Sequence, residues 1–195
     1  SGDASGSNPT IQITMDSNKS IVAHFKHVGM NNWREDFEDG TEGWYVVDGN
    51  LTFYGMQSEI VYEGESAYKM VGKRLSGGYA GRIKYDLNVP IKEDTNFIFA
   101  YYFPTKNVSY VGYILDFNTG KHGSYFSLFS GWFVNTSTSY LKQYEGEEEN
   151  KWHIHYENIY NDYYNAFGTA PDNLSIISVS IMMGDPYFTN NEQTA

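Results

Sequence analysis

The 195-residue sequence contains no cysteine. It therefore has no disulfide, no thiolate nucleophile and no ligand for an iron–sulfur cluster, so the fold depends on its core, helped at most by a metal ion. The sequence also lacks a run of about 20 apolar residues and the pattern of a signal peptide. We accordingly expect no membrane insertion.

Basic residues are few, with 13 Lys and Arg against 24 Asp and Glu and a formal net charge of -11. Binding to a phosphate backbone requires clustered basic residues. We therefore expect no nucleic-acid partner. An acidic surface is better suited to a neutral ligand or a bound cation.

Aromatic residues are abundant, with 18 Tyr, 12 Phe and 4 Trp. Their excess favours strands, and short strand-like segments alternate with turns from Trp33 to the end, which is typical of an all-β sandwich. A strand that is aromatic on both faces, such as Phe97–Phe103, is either wholly buried or carries a binding platform on its outer side. The predicted strands are Trp44–Val47, Leu51–Tyr54, Ser66–Val71, Ala80–Leu87, Asn96–Phe103, Tyr110–Phe117, Ser124–Val134, Trp152–Glu157 and Ser175–Met183.

One short helix is predicted over residues 158–167. Ile159, Tyr163 and Phe167 recur at four-residue spacing, and Gly168 stands where a helix ends. We expect this helix to cover one end of the sandwich.

The N-terminal segment predicts a β-hairpin. Thr10–Met15 and Ser20–Phe25 alternate apolar and polar residues on either side of a turn-forming tetrapeptide. Because an isolated hairpin is marginally stable in water, we expect this one to pack against the main domain.

The stretch NPTIQITMDSNKSIVAHF within this segment resembles the closing half of the divergent internalin-B-type repeat of cell-surface proteins. The resemblance implies that residues 1–29 are the C-terminal remnant of such a repeat with a linker, and that residues 30–195 form the sandwich domain. It further implies an extracellular or cell-surface protein of several modules, in which this part is a monomeric unit of a longer chain.

An acidic segment precedes Trp44. Read as the start of a strand, it directs Asp36 and Glu38 to one side and Phe37 towards the core. Two neighbouring carboxylates repel each other unless a cation or several hydrogen-bond donors neutralise them, and paired oxygens suit calcium. A solvated acidic turn is the alternative.

Three later segments resemble parts of carbohydrate-binding modules of the galactose-binding-like jelly-roll type. They are Glu63–Met70, Lys73-Arg74 and Gly78–Leu87, and with the acidic segment they keep the order of those modules over about residues 35–103. The resemblance implies a jelly-roll β-sandwich that binds a polysaccharide or cell-surface glycan without catalysis. It also implies a structural Ca²⁺ held by Asp36 and Glu38 together with Glu63 and Ser66.

The same resemblance locates a candidate sugar-binding platform. It implies a stacking aromatic residue at Tyr79, with Arg74 and Arg82 donating hydrogen bonds to sugar hydroxyls. Further candidates lie on strands whose other face is also apolar, where core packing is the alternative role. These further candidates are Tyr102, Tyr113 and Trp132.

Two other functions stay open. One is a structural or adhesive surface module without a sugar site, and the other is a β-sandwich polysaccharide lyase or hydrolase, whose acid pairs leave no local motif. His153 and His155 share one strand face, but the sequence shows no third zinc ligand, so we expect hydrogen-bonded or surface histidines. Residues 146–150 read as a solvated charged loop.

Overall fold

The computed structural model describes residues 33–73, 79–104, 110–128, 135–184 and 192–194. The chain divides into two units, Ser1–Asn32 and Trp33–Ala195. The predicted hairpin, its packing and the domain boundary near residue 29 lie outside the described residues and stay predictions.

The described residues of the second unit form mostly strands, with one short helix, in a sandwich-like arrangement, which confirms the prediction of an all-β sandwich. The elements are β1 (Trp44–Gly49), β2 (Leu51–Gln57), β3 (Ala67–Lys73), β4 (Tyr79–Pro90), β5 (Asn96–Tyr102), β6 (Tyr110–Phe117), β7 (His122–Leu128), β8 (Ser139–Tyr144), β9 (Trp152–Asn158), α1 (Ile159–Phe167), β10 (Ser175–Gly184) and β11 (Glu192–Thr194).

Three sheets contain these strands. A six-stranded sheet runs in the order β1-β4-β10-β6-β7-β8, a three-stranded sheet in the order β11-β3-β2, and β5 pairs with β9 in a two-stranded sheet. The pairing is antiparallel except between β7 and β8, which run parallel.

The main core lies between the two-stranded sheet and the six-stranded sheet. Phe99 of β5 packs in one buried cluster with Leu115, Tyr125 and Val179 of the larger sheet. Tyr163 of α1 joins the same cluster, so the helix closes it. Alternation along β5 therefore directs Phe97, Phe99 and Tyr101 inward and leaves the even-numbered residues on the outer face.

The helix prediction is confirmed. Asn158 caps the N-terminus by accepting the N–H of Asn161 at 2.8 Å. Gly168 ends the helix in the left-handed region at φ 78°, and its N–H bonds the carbonyl of Tyr164.

One sequence-based expectation about strands is wrong. Asp36–Glu38 is not a strand: Phe37 has φ 59°, and the first strand begins at Trp44. The side chain of Phe37 nevertheless contacts Trp44 and Tyr68, with ring centroids 5.6 and 5.1 Å apart. The strands β8 and β11 were not predicted because neither segment shows a clear apolar alternation.

Candidate functional site

The outer face of the two-stranded sheet carries an apolar strip. The register places Ile98 opposite Tyr156, Ala100 opposite Ile154 and Tyr102 opposite Trp152. Residues directly opposite each other share one face of a sheet, so these six residues line the outer face together. We call them the outer strip.

Three aromatic rings meet at one end of the strip. The Trp152 ring lies 5.7 Å from Tyr62, which follows β2, and 5.8 Å from Tyr102. Tyr62 is 49% exposed, and Tyr156 at the other end of the strip is 70% exposed. Isolated exposed apolar residues are ordinary on protein surfaces, but a contiguous aromatic group is typical of an interaction site.

One polar side chain borders these rings. The Tyr102 hydroxyl donates to Oδ1 of Asn150 at 3.1 Å. The N–H of Asn150 bonds the carbonyl of Phe103 at 2.9 Å, so the residue is tied to the end of β5. An exposed ring face next to an amide and a phenol can both stack on an apolar surface and bond a hydroxyl group.

The inner face of β9 is polar, so the usual polarity of a sandwich strand is inverted here. His153, His155 and Glu157 point towards the six-stranded sheet, whereas Trp152 and Ile154 point to solvent. Buried polar groups are tolerated only when they are hydrogen-bonded. The partners of these three side chains come from two groups of residues.

The first group surrounds Glu147, whose side chain is only 10% exposed. Its Oε2 accepts from the Tyr101 hydroxyl at 2.5 Å, and its Oε1 lies 2.8 Å from Nε2 of His155 and 3.4 Å from Nδ1 of His153. We call these four residues the Glu147 cluster. The expectation of a fully solvated loop at 146–150 is thus wrong for Glu147, because the loop turns this carboxylate into the sandwich.

The second group surrounds Glu157. Glu157 accepts from the Tyr144 hydroxyl at 2.7 Å and is paired with Lys142, whose ammonium lies 3.1 Å from Asp162. Burial raises the pKa of Tyr144, and its hydrogen bond to Glu157 raises it further. Burial opposes the charge of Lys142, but its bonds to Glu157 and Asp162 outweigh this and raise the pKa of the ammonium. The group is a partly buried ion-pair network in which one ammonium faces two carboxylates.

Arg82 lies on the outer face of the six-stranded sheet, away from Tyr102. Its guanidinium donates to Oγ of Ser180 at 3.0 Å and lies 3.7 Å from Asp116. Asp116 also accepts from the Ser178 hydroxyl at 2.6 Å. The structure therefore does not bring Arg82 and Tyr102 into one site.

The other predicted sugar-binding residues have separate outcomes. Tyr113 packs between sheets, with its ring 4.8 Å from Phe99, and its hydroxyl donates to the carbonyl of Ala100 at 3.0 Å, so we assign it to the core. Tyr79 is the first residue of β4, and its side chain lies outside the described residues. Arg74 and Trp132 lie outside them as well.

The predicted metal ligands are partly brought together. Oε1 of Glu38 accepts the N–H groups of Glu65 at 2.9 Å and Ser66 at 3.0 Å, so the Glu63–Ser66 turn does lie against Glu38. Asp36 instead pairs with Arg34 at 3.3 Å. A Cβ on Gly64 would lie 2.2 Å from Oε1 of Glu38, so this approach requires glycine.

Oε1 of Glu38 thus accepts two backbone N–H groups of this turn. Among the described residues, no group of three His, Asp or Glu side chains is arranged to hold a metal ion. The calcium prediction stays a prediction.

Sequence patterns do not single out Trp152, Tyr62, Tyr156 or Glu147 as site residues. The alternation along β9 was visible, but an apolar face is ordinarily assigned to the interior. Only the hydrogen-bond and ion-pair partners of His153 and Glu157 show that the polar face of β9 points inward and its apolar face outward.

In the part of the chain that the structure describes, no helix is long and apolar enough to cross a membrane. No protein-family model matches the sequence, and no curated protein is significantly similar to it.

Proposed function

We propose that this protein is a non-catalytic carbohydrate-binding module, and that the outer strip with Tyr62 binds the sugar. The observation that carries the proposal is the inverted polarity of β9, which places half-buried Trp152 and exposed Tyr156 on the outer face while polar groups fill the interior. A β-sandwich with aromatic clusters is compatible with sugar binding. Exposing large apolar groups costs free energy, and a ligand that covers them recovers it.

The chemistry of the strip suits a pyranose. The C–H face of a sugar ring is apolar and stacks on an aromatic ring. The Tyr102 hydroxyl and the Asn150 amide lie beside the rings and supply a donor and acceptors for sugar hydroxyls. The six residues of the strip are uncharged, which favours a neutral polysaccharide or oligosaccharide.

The resemblances in the sequence support the biological setting of this proposal. A sugar-binding module next to the end of a surface repeat would belong to a secreted or cell-surface protein of several modules, and its partner would be a polysaccharide or a cell-surface glycan. A structural Ca²⁺ near Glu38 would stabilise the first loops without contacting the sugar. The module itself would act as a monomeric unit of the longer chain.

A structural or adhesive role is the second candidate, because two aliphatic residues lie within the strip. Ile98 is 59% exposed and Ile154 is also exposed, and aliphatic side chains pack on proteins more readily than on sugars. Catalysis has less support. Tyr101, His155 and Glu147 converge on the inner face of the sheet, where a polysaccharide does not reach.

The experiment that tests the proposal combines a glycan array, with and without calcium, and native electrophoresis through gels containing xylan, mixed-linkage β-glucan or galactomannan. We expect retardation in at least one of these gels. Trp152→Ala should weaken binding by roughly tenfold to a hundredfold, because one stacking contact is worth about 1–3 kcal/mol. Tyr156→Ala should weaken it as well.

Tyr54→Ala is the matched control, since Tyr54 is an exposed tyrosine of the three-stranded sheet. It should bind like the unmodified protein. If Trp152→Ala stays folded and binds every glycan as before, the strip is not the sugar site. If no glycan binds, the adhesive role is favoured.

A further inference from the structure

The outer strip and the Glu147 cluster are connected by one loop, Glu145–Lys151, which joins β8 to β9. At its C-terminal end, Asn150 bonds the Tyr102 hydroxyl and the backbone of Phe103. At its centre, the Glu147 side chain reaches through to the inner face of the sheet. Asn150 adopts the left-handed region with φ 58°, a conformation that asparagine tolerates better than most residues.

Three side chains hold Glu147 in place. The Tyr101 hydroxyl donates to its Oε2, and Nε2 of His155 lies 2.8 Å from its Oε1. Because a carboxylate can only accept, His155 donates to Glu147 from Nε2. Hydrogen bonds to a buried carboxylate are among the stronger ones in proteins.

His153 adds a condition on protonation. Its Nε2 lies 2.9 Å from the carbonyl of Glu148, which can only accept, so Nε2 carries a hydrogen. Its Nδ1 lies 3.4 Å from Oε1 of Glu147. In the neutral ring Nδ1 carries a lone pair close to the carboxylate, whereas the protonated ring is a cation next to it. The ion pair with Glu147 therefore requires the imidazolium form of His153.

The other groups packed on His153 and His155 do not take the place of Glu147 as the carboxylate partner of these rings. Tyr144 of β8 stacks on His155 with ring centroids 3.6 Å apart, and its hydroxyl is bonded to Glu157. Phe103 and Tyr101 of the β5 side stack on His153 at 5.2 and 5.8 Å. Two ion pairs lie nearby and engage other partners: Lys142 with Glu157 and Asp162, and Lys151 with Glu148.

We propose that Glu147 is a positioning residue for the outer strip: with protonated His153 it anchors the β8–β9 loop, so the strip is ordered in acidic solution and loosens as His153 loses its proton. One consequence of this inference rests on the proposed function: sugar should bind more tightly at lower pH. The state of the loop is measurable without any sugar.

The first experiment measures the loop by limited trypsin digestion, because exposed Lys151 makes the bond to Trp152 a cleavage site. The rate of cleavage at that bond, identified by mass spectrometry, is divided by the rate on a chromogenic peptide at the same pH. Histidine side chains change charge between about pH 5 and 8, so about pH 6 and pH 8 are compared. We expect cleavage of the unmodified protein to be about tenfold slower at the lower pH, as loss of one partly buried ion pair predicts.

Three variants separate positioning from general stability. Glu147→Gln should be cleaved rapidly at both pH values, and His153→Gln should be cleaved at a rate that no longer depends on pH. Glu145→Gln removes the same charge from an exposed position of the same loop and should behave like the unmodified protein. If Glu147→Gln fails to fold, as judged by circular dichroism, His153→Gln still decides the question.

The second experiment repeats the native electrophoresis at both pH values in gels containing mixed-linkage β-glucan, xylan or galactomannan. We expect stronger retardation at about pH 6 than at about pH 8, and no such difference for His153→Gln. Equal cleavage of the unmodified protein at both pH values would overturn the inference, and so would equal cleavage of Glu147→Gln and the unmodified protein. If cleavage follows the expectation but no polysaccharide retards the protein, the anchoring stands and the proposed function fails.

Discussion

At the residue scale, the carboxylate of Glu38, which is a predicted calcium ligand, accepts hydrogen bonds from the backbone. Its Oε1 accepts two N–H groups of the turn that follows Gly64, and that turn approaches so closely that a Cβ at Gly64 would overlap the carboxylate. Backbone N–H groups that converge in this way form an anion-binding concavity. These two N–H groups hold the Glu38 carboxylate against the turn.

This arrangement predicts that Glu38→Ala lowers stability even when calcium is chelated. Hydrogen bonds to a charged group contribute about 1.5–3 kcal/mol each when buried, and exposure of Glu38 reduces this to about 1 kcal/mol in total. Thermal melting in chelator and in calcium measures the effect. Asp36→Ala is the control, since its exposed ion pair with Arg34 should contribute little.

The calcium prediction is decided by the same melting curves. An ion that binds only the folded protein stabilises it by mass action, by about 2.7 kcal/mol at a hundredfold excess over Kd. If Glu38→Ala melts like the unmodified protein in chelator and differs only in calcium, the carboxylate is a calcium ligand rather than an acceptor of backbone N–H groups.

At the element scale, α1 and β9 show opposite relations between sequence pattern and structure. The helix follows its pattern: Ile159 and Tyr163 are buried at four-residue spacing, and a cap is present at each end. The strand β9 also alternates as its sequence does, yet its apolar face points outward. The spacing of apolar residues is a local property of the chain. Which face of a strand becomes buried depends on the side chains of the sheet that packs against it.

The N-cap of α1 allows a test of how much local hydrogen bonds contribute to stability. Asn158→Ala removes the side chain that accepts the N–H of Asn161 and donates to the carbonyl of Glu93 at 2.8 Å. Loss of an N-cap costs about 1 kcal/mol, and we expect the second bond to add to it. Urea unfolding measures the difference. Asn165→Ala, at an exposed position within the helix, should be neutral or stabilising; an equal loss in both variants would contradict a capping role.

At the scale of the whole molecule, tyrosine side chains fill much of the core that aliphatic residues fill in other sandwiches. Burial raises the pKa of Tyr68 to about 12, and it raises the pKa values of other core tyrosines as well. In this second set the buried hydroxyls are bonded to carboxylates, carbonyls or one another, as for Tyr125 with Tyr140. The set comprises Tyr101, Tyr113, Tyr125, Tyr140 and Tyr144.

These shifts predict that the protein unfolds in alkali. In the unfolded chain a tyrosine loses its proton near pH 10, whereas in the folded protein Tyr68 keeps it to about 12. The stabilisation is therefore fully present below about pH 10 and is lost as the pH rises through the folded value. Near-ultraviolet absorbance should show these phenolates appearing together with the loss of circular dichroism. Complete titration while the protein stays folded would contradict the burial of these hydroxyls.

The class of fold, the helix and most strand positions follow from sequence patterns alone, because alternation, turn residues and caps act over a few neighbouring residues. The sequence pattern also predicts that Tyr102 lies on a strand that is apolar on both faces, and this residue does lie in the outer strip. It did not determine which face of β9 is buried. That choice depends on tertiary contacts, since the Glu147 carboxylate that bonds His155 is itself held by Tyr101 of β5, 46 residues away in sequence, and such contacts make the polar face the inner one.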